Sequence, residues 1–487
     1  MGALRTIWDE ARLAAASVAD FAGDLVEPTV RLGVTGLSGA GKTVFITALV
    51  HNLIAGGRLP LVDAIAEGRL KRAYLRPQPD DSVPRFDYEQ HVARLLGDRV
   101  WPNSTRRISQ LRLTLEFTPA GFWKRTTGGG TLNIDIVDYP GEWLLDLPLL
   151  NWNYAEWSRR TIELSRSDTR AVLARDWLAH LSTLDPAARE NETAAQKASS
   201  LFKAYLAQGR DARFGLSALS PGRFLMPGDL EGSPALTFAP LDVGPGAAPK
   251  GSLWAMMERR YDSYRSVVVM PFFRDHFARL DRQIVLVDAL AAINAGPAAL
   301  RDLEVALVDI LTCFRQGSNS LLSTILRRRI DKILFAATKA DHLHRSSHDR
   351  LEGILRRLVD RAMSRASISG SAVDVAAIAA VRATREATIR RGGDMLACIV
   401  GTPVEGERIG GQIFDGKEET AIFPGELPAD PGVALHHGSD AAQPEDADYR
   451  FVRFRPPPPQ KGPAGVDILP HIRLDRAINF LIGDKLV

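Results

Sequence analysis

Apolar residues along this chain gather in two kinds of run. Short, nearly unbroken ones lie at Val30–Thr35 (VRLGVT), Thr131–Val137 (TLNIDIV), Arg282–Val287 (RQIVLV), Lys332–Ala337 (KILFAA) and Val375–Val381 (VAAIAAV). Their length and content predict the strands of a mainly parallel sheet. Ile108–Phe117 (ISQLRLTLEF) alternates instead. With the turn TTGGG at 126–130 it predicts a hairpin, its first strand an antiparallel edge beside 131–137. The second kind of run recurs at helical spacing. It covers VFITALV at 44–50, WSRRTIELSRSDTRAVLARDWLAHL from Trp157, TAAQKASSLFKAYLAQG from Thr193, and Leu474, Ile478, Leu481 and Ile482 near the end. Leu4, Ile7, Ala11, Ala15, Val18 and Phe21 predict an amphipathic helix over 4–26.

Chemistry sits where strands end. GLSGAGKT, residues 36–43, joins the first strand to the first helix and fits the phosphate-binding loop pattern. Gly36 and Gly41 let the backbone turn so that the amides of Ser38, Gly39, Ala40 and Gly41 converge on phosphates at a helix N-terminus. Lys42 supplies a point charge to the outer phosphates, and the Thr43 hydroxyl suits Mg²⁺. Thr338-Lys339-Ala340-Asp341 follows the fourth apolar strand and matches the N/T-K-x-D element that reads guanine. Asp341 can accept from the ring N1–H and the exocyclic amine, a donor pair that adenine lacks. A buried carboxylate left unpaired discriminates by about 10⁴. The Lys339 stem would lie across the base, and Thr338 would tie this loop to the phosphate loop.

Asp138-Tyr139-Pro140-Gly141 ends the second strand as a DxxG element. Such a tetrapeptide arises by accident roughly twice in a chain of this size, so its place in the order carries the reading. Asp138 would hold Mg²⁺ through water, and the Gly141 amide would sense a γ-phosphate. Thr105, with Ser104 as substitute, is the candidate first-switch threonine closing on the same ion. Glu142 stands where many GTPases carry Gln and would orient water or point outward to a salt bridge. After Val381, Arg382-Ala383-Thr384 stands where a short loop covers guanine, with the Ala383 amide facing its carbonyl.

These blocks carry a resemblance. VTGLSGAGKTVFITALVHNL, DYPGEWLLDLPLL, RQIVLVDALAAINAG, TKADHL and AAVRATREA are similar to the YcjX-like proteins, bacterial P-loop proteins of the TRAFAC GTPase type linked to stress responses. The resemblance implies a protein that binds GTP and GDP with Mg²⁺, hydrolyses GTP slowly and carries a helical insertion. It does not define a cellular task. An ATPase, or a nucleotide-bound scaffold with negligible turnover, is the alternative.

The expected fold is α/β: a P-loop GTPase-type, mainly parallel sheet with helices on both faces, a large helical insertion and a small β-rich late insertion. Its divisions are an N-terminal helix (1–29), a first core part (30–144), the helical insertion (145–275), a second core part (276–394), the β-rich insertion (395–470) and a closing helix (471–487). Strand-like Met395–Val400, Glu419–Phe423 and Tyr449–Phe454 fill the late insertion, and Pro456–Pro459 reads as a stiff extended linker.

Composition adds exclusions. A net charge of +3 over 487 residues points to no nucleic-acid partner. No run of 18 apolar residues suggests a spanning helix, and peripheral membrane contact stays open. Cys313 and Cys398 lack CxxC spacing and read as buried thiols of a cytoplasmic protein. His342, His344 and His348 read as a solvated loop, and the arginines at 327–329 and 390–391 as solvated faces. Trp143, Trp152 and Trp157 read as packing between switch and insertion. A protein partner would meet the insertion.

Overall fold

A computed structural model describes residues 27–37, 39–103, 107–120, 130–211, 213–242, 249–312, 330–366, 371–391, 393–409, 411–435, 451–463 and 465–487. The helix expected over 4–26, Ser38, Ser104, Thr105, Cys313 and the arginines at 327–329 lie outside the described residues.

Seven strands form the central sheet: β1 (Thr29–Gly36), β2 (Leu70–Arg76), β3 (Ser109–Phe117), β4 (Gly130–Asp138), β5 (Arg282–Val287), β6 (Lys332–Ala337) and β7 (Ala372–Ala377). Their order is β2-β3-β4-β1-β5-β6-β7. β4, β1, β5, β6 and β7 run parallel, while β3 pairs antiparallel with β4 and β2 antiparallel with β3. The expected edge strand is therefore an inner one, because β2 covers its free side. The run expected as a strand to Val381 leaves the sheet after Ala377. Ile378, Ala379 and Val381 are buried outside the central sheet, where Ala379 makes an isolated bridge to Ile472.

Side chains alternate across the parallel strands, so each strand feeds two cores. On one face Leu32, Val34, Ile136, Ile284, Leu286 and Leu334 pack with helix α1 (Lys42–Ile54) and the last helix, α9 (Leu474–Ile482). Arg282, 2% exposed, is anchored under α9: its guanidinium meets Asp331 at 2.7 Å, Asp484 at 2.9 Å and the Leu481 carbonyl at 3.1 Å. A buried cation needs such a set of acceptors.

The other face, with Val137, Val285, Val287, Phe335 and Val375, is continuous with the inserted helices. After β4 a 3₁₀ segment runs from Gly141 to Asn151. Then come α2 (Tyr154–Ser165), α3 (Asp168–Leu181), α4 (Glu192–Gly209) and α5 (Leu253–Tyr264). Asn153 and Glu156 make a reciprocal capping box that starts α2. Trp157 stacks on Tyr261 with centroids 5.0 Å apart, and Trp177 on Tyr205 at 5.6 Å. Trp143 and Trp157 are buried and Trp152 is half-buried, so all three pack inside the molecule. Helices α6 (Ala289–Ala295), α7 (Pro297–Thr312) and α8 (His348–Ala366) complete this side. Buried Arg170 of α3 pairs with Asp302 of α7 at 2.5 Å, and Asp302 also accepts from the Ser217 and Ala218 amides.

The late region is a separate small sheet of β8 (Arg385–Arg391), β9 (Asp394–Gly401) and β10 (Thr420–Ile422), with its own core of Ile399, Phe414, Ile422, Val452 and Phe454. The hairpin β8–β9 straddles the division expected at 394, so we propose that this region starts at Arg385. Arg390 and Arg391 belong to β8 and not to a turn. Pro456 and Pro457 are buried, so the tetraproline starts against the protein surface instead of bridging open solvent.

Candidate functional site

β1 ends at Gly36, and the chain crosses to α1 through Gly39 and Gly41, at φ 74° and 81°. Only glycine occupies that left-handed region without strain. Gly36 itself is not left-handed; a Cβ there would lie 2.8 Å from the Leu286 carbonyl of β5. The loop is fixed to that strand by the Leu37 amide, which donates to Leu286 at 3.2 Å. Lys42 turns back over the loop and donates to the Gly36 carbonyl at 3.2 Å.

Residues Gly39–Phe45, Thr338, Lys339, Asp341 and Ile378–Val381 line one cleft of about 280 Å³. Two motifs almost three hundred residues apart thus share a wall-to-wall space, because β1 and β6 flank β5 in the sheet. Asp341 is buried, and its Oδ2 accepts from the Ala383 amide at 2.8 Å, while the Thr384 hydroxyl donates to the Asp341 carbonyl at 2.5 Å. Lys339 stands at φ 61° and ion-pairs through Nζ with Asp288, just past β5.

Thr43 and Asp138, both buried, line a second cavity of about 170 Å³ with Asn103 and Ser109. A hydroxyl and a carboxylate are hard oxygen donors, the chemistry that Mg²⁺ takes. At the neighbouring wall, Gly141 lies so close to the loop that a Cβ on it would fall 1.5 Å from the Gly36 carbonyl oxygen and 3.3 Å from Lys42 Nζ. Beyond it, Glu142 is 6% exposed, and its Oε1 meets the Arg210 guanidinium at 3.0 Å. Asp146 is buried and accepts from the Gly222 amide at 2.7 Å, the Arg223 amide at 3.2 Å and the Tyr264 hydroxyl at 2.6 Å. Burial raises its carboxyl to about 6, with the Tyr264 hydrogen bond opposing the rise.

The model of the YcjX-like family, DUF463, matches residues 30–486. A protein named Ras-like GTPase YcjX from Escherichia coli (strain K12) is 38% identical over 477 residues, covering 95% of this chain and 97% of that protein. One of the same name from Shewanella oneidensis is 34% identical over 480 residues, covering 94% of each. The chain belongs to the YcjX-like family.

In this YcjX-like chain the expected residues gather in part. The phosphate loop and Asp341 share a cleft, Thr43 and Asp138 share a cavity, and Gly141 meets Lys42. Three details differ from the sequence reading. The Thr338 amide and hydroxyl both donate to the Val287 carbonyl, so among the described residues its hydrogen bonds tie this loop to β5 and not to the phosphate loop. Ala383 does not line the cleft, and its amide donates to Asp341; Ala380, three residues past β7, does line it. Glu142 does make a salt bridge, but it points inward to Arg210 of the insertion, with its own side chain buried and the arginine partly exposed.

The histidines also depart from a solvated loop. His348 is buried with Nε2 3.3 Å from the Leu343 carbonyl, and half-buried His342 packs edge-on to Phe454 while lining the cleft. Asp288, Arg210 and Asp146 belong to no motif in the sequence. Only Asp288 gave a signal there, as an acid directly after an apolar strand.

Proposed function

We propose that the chain binds GTP and GDP, hydrolyses GTP slowly to GDP and phosphate, and acts as a nucleotide-dependent switch. One observation carries this reading: a single cleft is lined by the phosphate loop and by the TKAD loop. Two relatives named Ras-like GTPases, matched over nearly their whole length, support it.

The amides of Ser38, Gly39, Ala40 and Gly41 hold the phosphates, with Lys42 between the outer two. Asp341 accepts from the guanine N1–H and amine, the Lys339 stem covers the base, and the Ala380 amide takes over from Ala383 the contact with the base carbonyl. Thr43, Thr105 and Asp138 are the residues that would hold Mg²⁺. When bound, the ion neutralises phosphate charge. Gly141 reads the γ-phosphate from its place beside Lys42, and Glu142 is the water-orienting candidate. Rate enhancement then comes mainly from positioning and charge.

Because the second switch leads straight into the inserted helices, we assign protein partners to the insertion. A cytoplasmic site of action and a role in stress responses belong to the same reading. No described helix is long and apolar enough to cross a membrane. The test is calorimetric titration with GTP, GDP, ATP and ADP alongside phosphate release. The expected result is guanine preference of about 10³ or more with measurable GTP turnover. Equal affinity for ATP and GTP would sink the base reading, and absent turnover the enzymatic one.

A further inference from the structure

Three ion pairs face a cavity of about 590 Å³ that opens behind the phosphate loop, lined by Leu37 and Gly39 of that loop. Lys339 is held there by Asp288, and Arg453 by Glu407 at 2.6 Å. Each of those pairs stays within one part of the molecule. The third, Arg210–Glu142, joins the end of α4 to the residue after Gly141. It is the pair whose acid sits on the switch segment.

We propose that Arg210 is an arginine supplied in cis by the insertion for GTP hydrolysis, latched by Glu142 until a γ-phosphate draws the switch toward it. The inference rests on the GTPase reading above and adds a residue to its chemistry. Three observations support it. Glu142 follows Gly141, which abuts Gly36 and Lys42, so the pair joins the insertion to the segment that borders the phosphate loop. The cavity gives it a path, since Arg210 and Gly39 line the same space. Its side chain is 30% exposed against 7% for Glu142, so the arginine is the more exposed partner in the cavity that both line.

A carboxylate beside a triphosphate is repelled, and the pair neutralises it. As the γ-phosphorus gains its bond to the water oxygen and loses that to GDP, the electron pair leaves on the GDP oxygen. One proton of the water stays on phosphate and the other passes to bulk water. A planar guanidinium stabilises the charge spread over those oxygens better than a compact ammonium.

The experiment measures single-turnover phosphate release and GDP binding with aluminium fluoride, a mimic of the transferring phosphoryl group. Arg210→Ala should slow the chemical step by about 100-fold or more, with GTP affinity within about threefold and the fluoride-dependent tightening of GDP lost. Arg210→Lys should not restore the rate. Since Arg210→Ala removes the partner of a buried carboxylate, Arg210→Lys, which keeps a cation beside Glu142, is the control for folding, checked by GDP affinity and thermal unfolding. Rates and fluoride response within threefold of the wild type in Arg210→Ala, or a loss that Arg210→Lys restores in full, would overturn the proposal. No turnover in the wild type would overturn the GTPase reading and this inference with it; turnover that ignores Arg210 would overturn this inference alone.

Discussion

At the base end of the cleft, Asp341 is bound by Ala383 and Thr384, two adjacent residues of the loop past β7. Thr338 ties to β5, and Lys339 to Asp288 just beyond that strand. At the phosphate end, Gly141 abuts Gly36 and Lys42 of the loop, whereas Glu142 and Asp146 are held by Arg210, Gly222, Arg223 and Tyr264 of the insertion. The end proposed for base recognition is fastened to neighbouring strands. The end proposed to sense a γ-phosphate is fastened to a helical mass. A ligand shifts such a joint only by its differential affinity for the two arrangements, so the contrast that matters is triphosphate against diphosphate.

The sharpest way to sharpen that contrast is Asp341→Asn. Its Oδ2 already accepts from the Ala383 amide, so an asparagine must keep its oxygen there and turn its NH₂ into the cleft. A donor then stands where guanine also presents donors. Guanine affinity should fall by about 10⁴, xanthine nucleotides should become the preferred ligands, and switch behaviour should survive with the new base. Retained GTP preference in a calorimetric titration would show that Asp341 does not read the base.

Gly141→Ala attacks the other end. The new methyl would fall 1.5 Å from the Gly36 carbonyl, and neither backbone can yield without parting switch from loop. Overpacking of this kind costs about 1–3 kcal/mol. GTP affinity should drop by about 100-fold and GDP affinity by less than fivefold. Equal losses for both nucleotides would mean that the contact is architectural and does not sense the third phosphate.

The same division explains what the sequence revealed. β1, β4, β5 and β6 were legible because strands buried on both faces leave apolar runs, and the motifs follow their ends. Val375–Val381 misleads because apolar content reports burial and not pairing: Ile378, Ala379 and Val381 stay buried after the sheet has ended, with Ala379 bridged to Ile472. β2 (LKRAYLR) is half-exposed and charged, without a clear alternation, and β8 (REATIRR) looks like a polar turn. At the site, contacts inside one motif or strand end could be foreseen. Arg210 and Asp146 could not, because a single charged residue in a helical stretch has no pattern, and its role exists only once the insertion folds back onto the switch.

Asp146→Asn tests the joint itself, with the smallest expected effect and the clearest pH signature. Its carboxyl is raised to about 6 from an ordinary value of 3.8, burial being the main cause. A raised acid favours the folded state most fully below the unfolded value, and that contribution is lost as pH climbs through the folded one. Asparagine carries no charge, so it escapes this loss, yet it offers one acceptor oxygen where Asp146 meets two amides and a tyrosine hydroxyl. Near pH 4 the variant should therefore be less stable than the wild type by about 1–3 kcal/mol. The gap should narrow, by about 3 kcal/mol at most, as pH rises through 6. Denaturant titrations at several pH values check this, and parallel stability curves would remove Asp146 as a titrating group. Amide exchange supplies the comparison: the variant should loosen residues 141–151 while leaving the Thr338–Asp341 loop as protected as before. Equal loosening at both ends would mean that the insertion braces the whole cleft, and the two ends would no longer be separable.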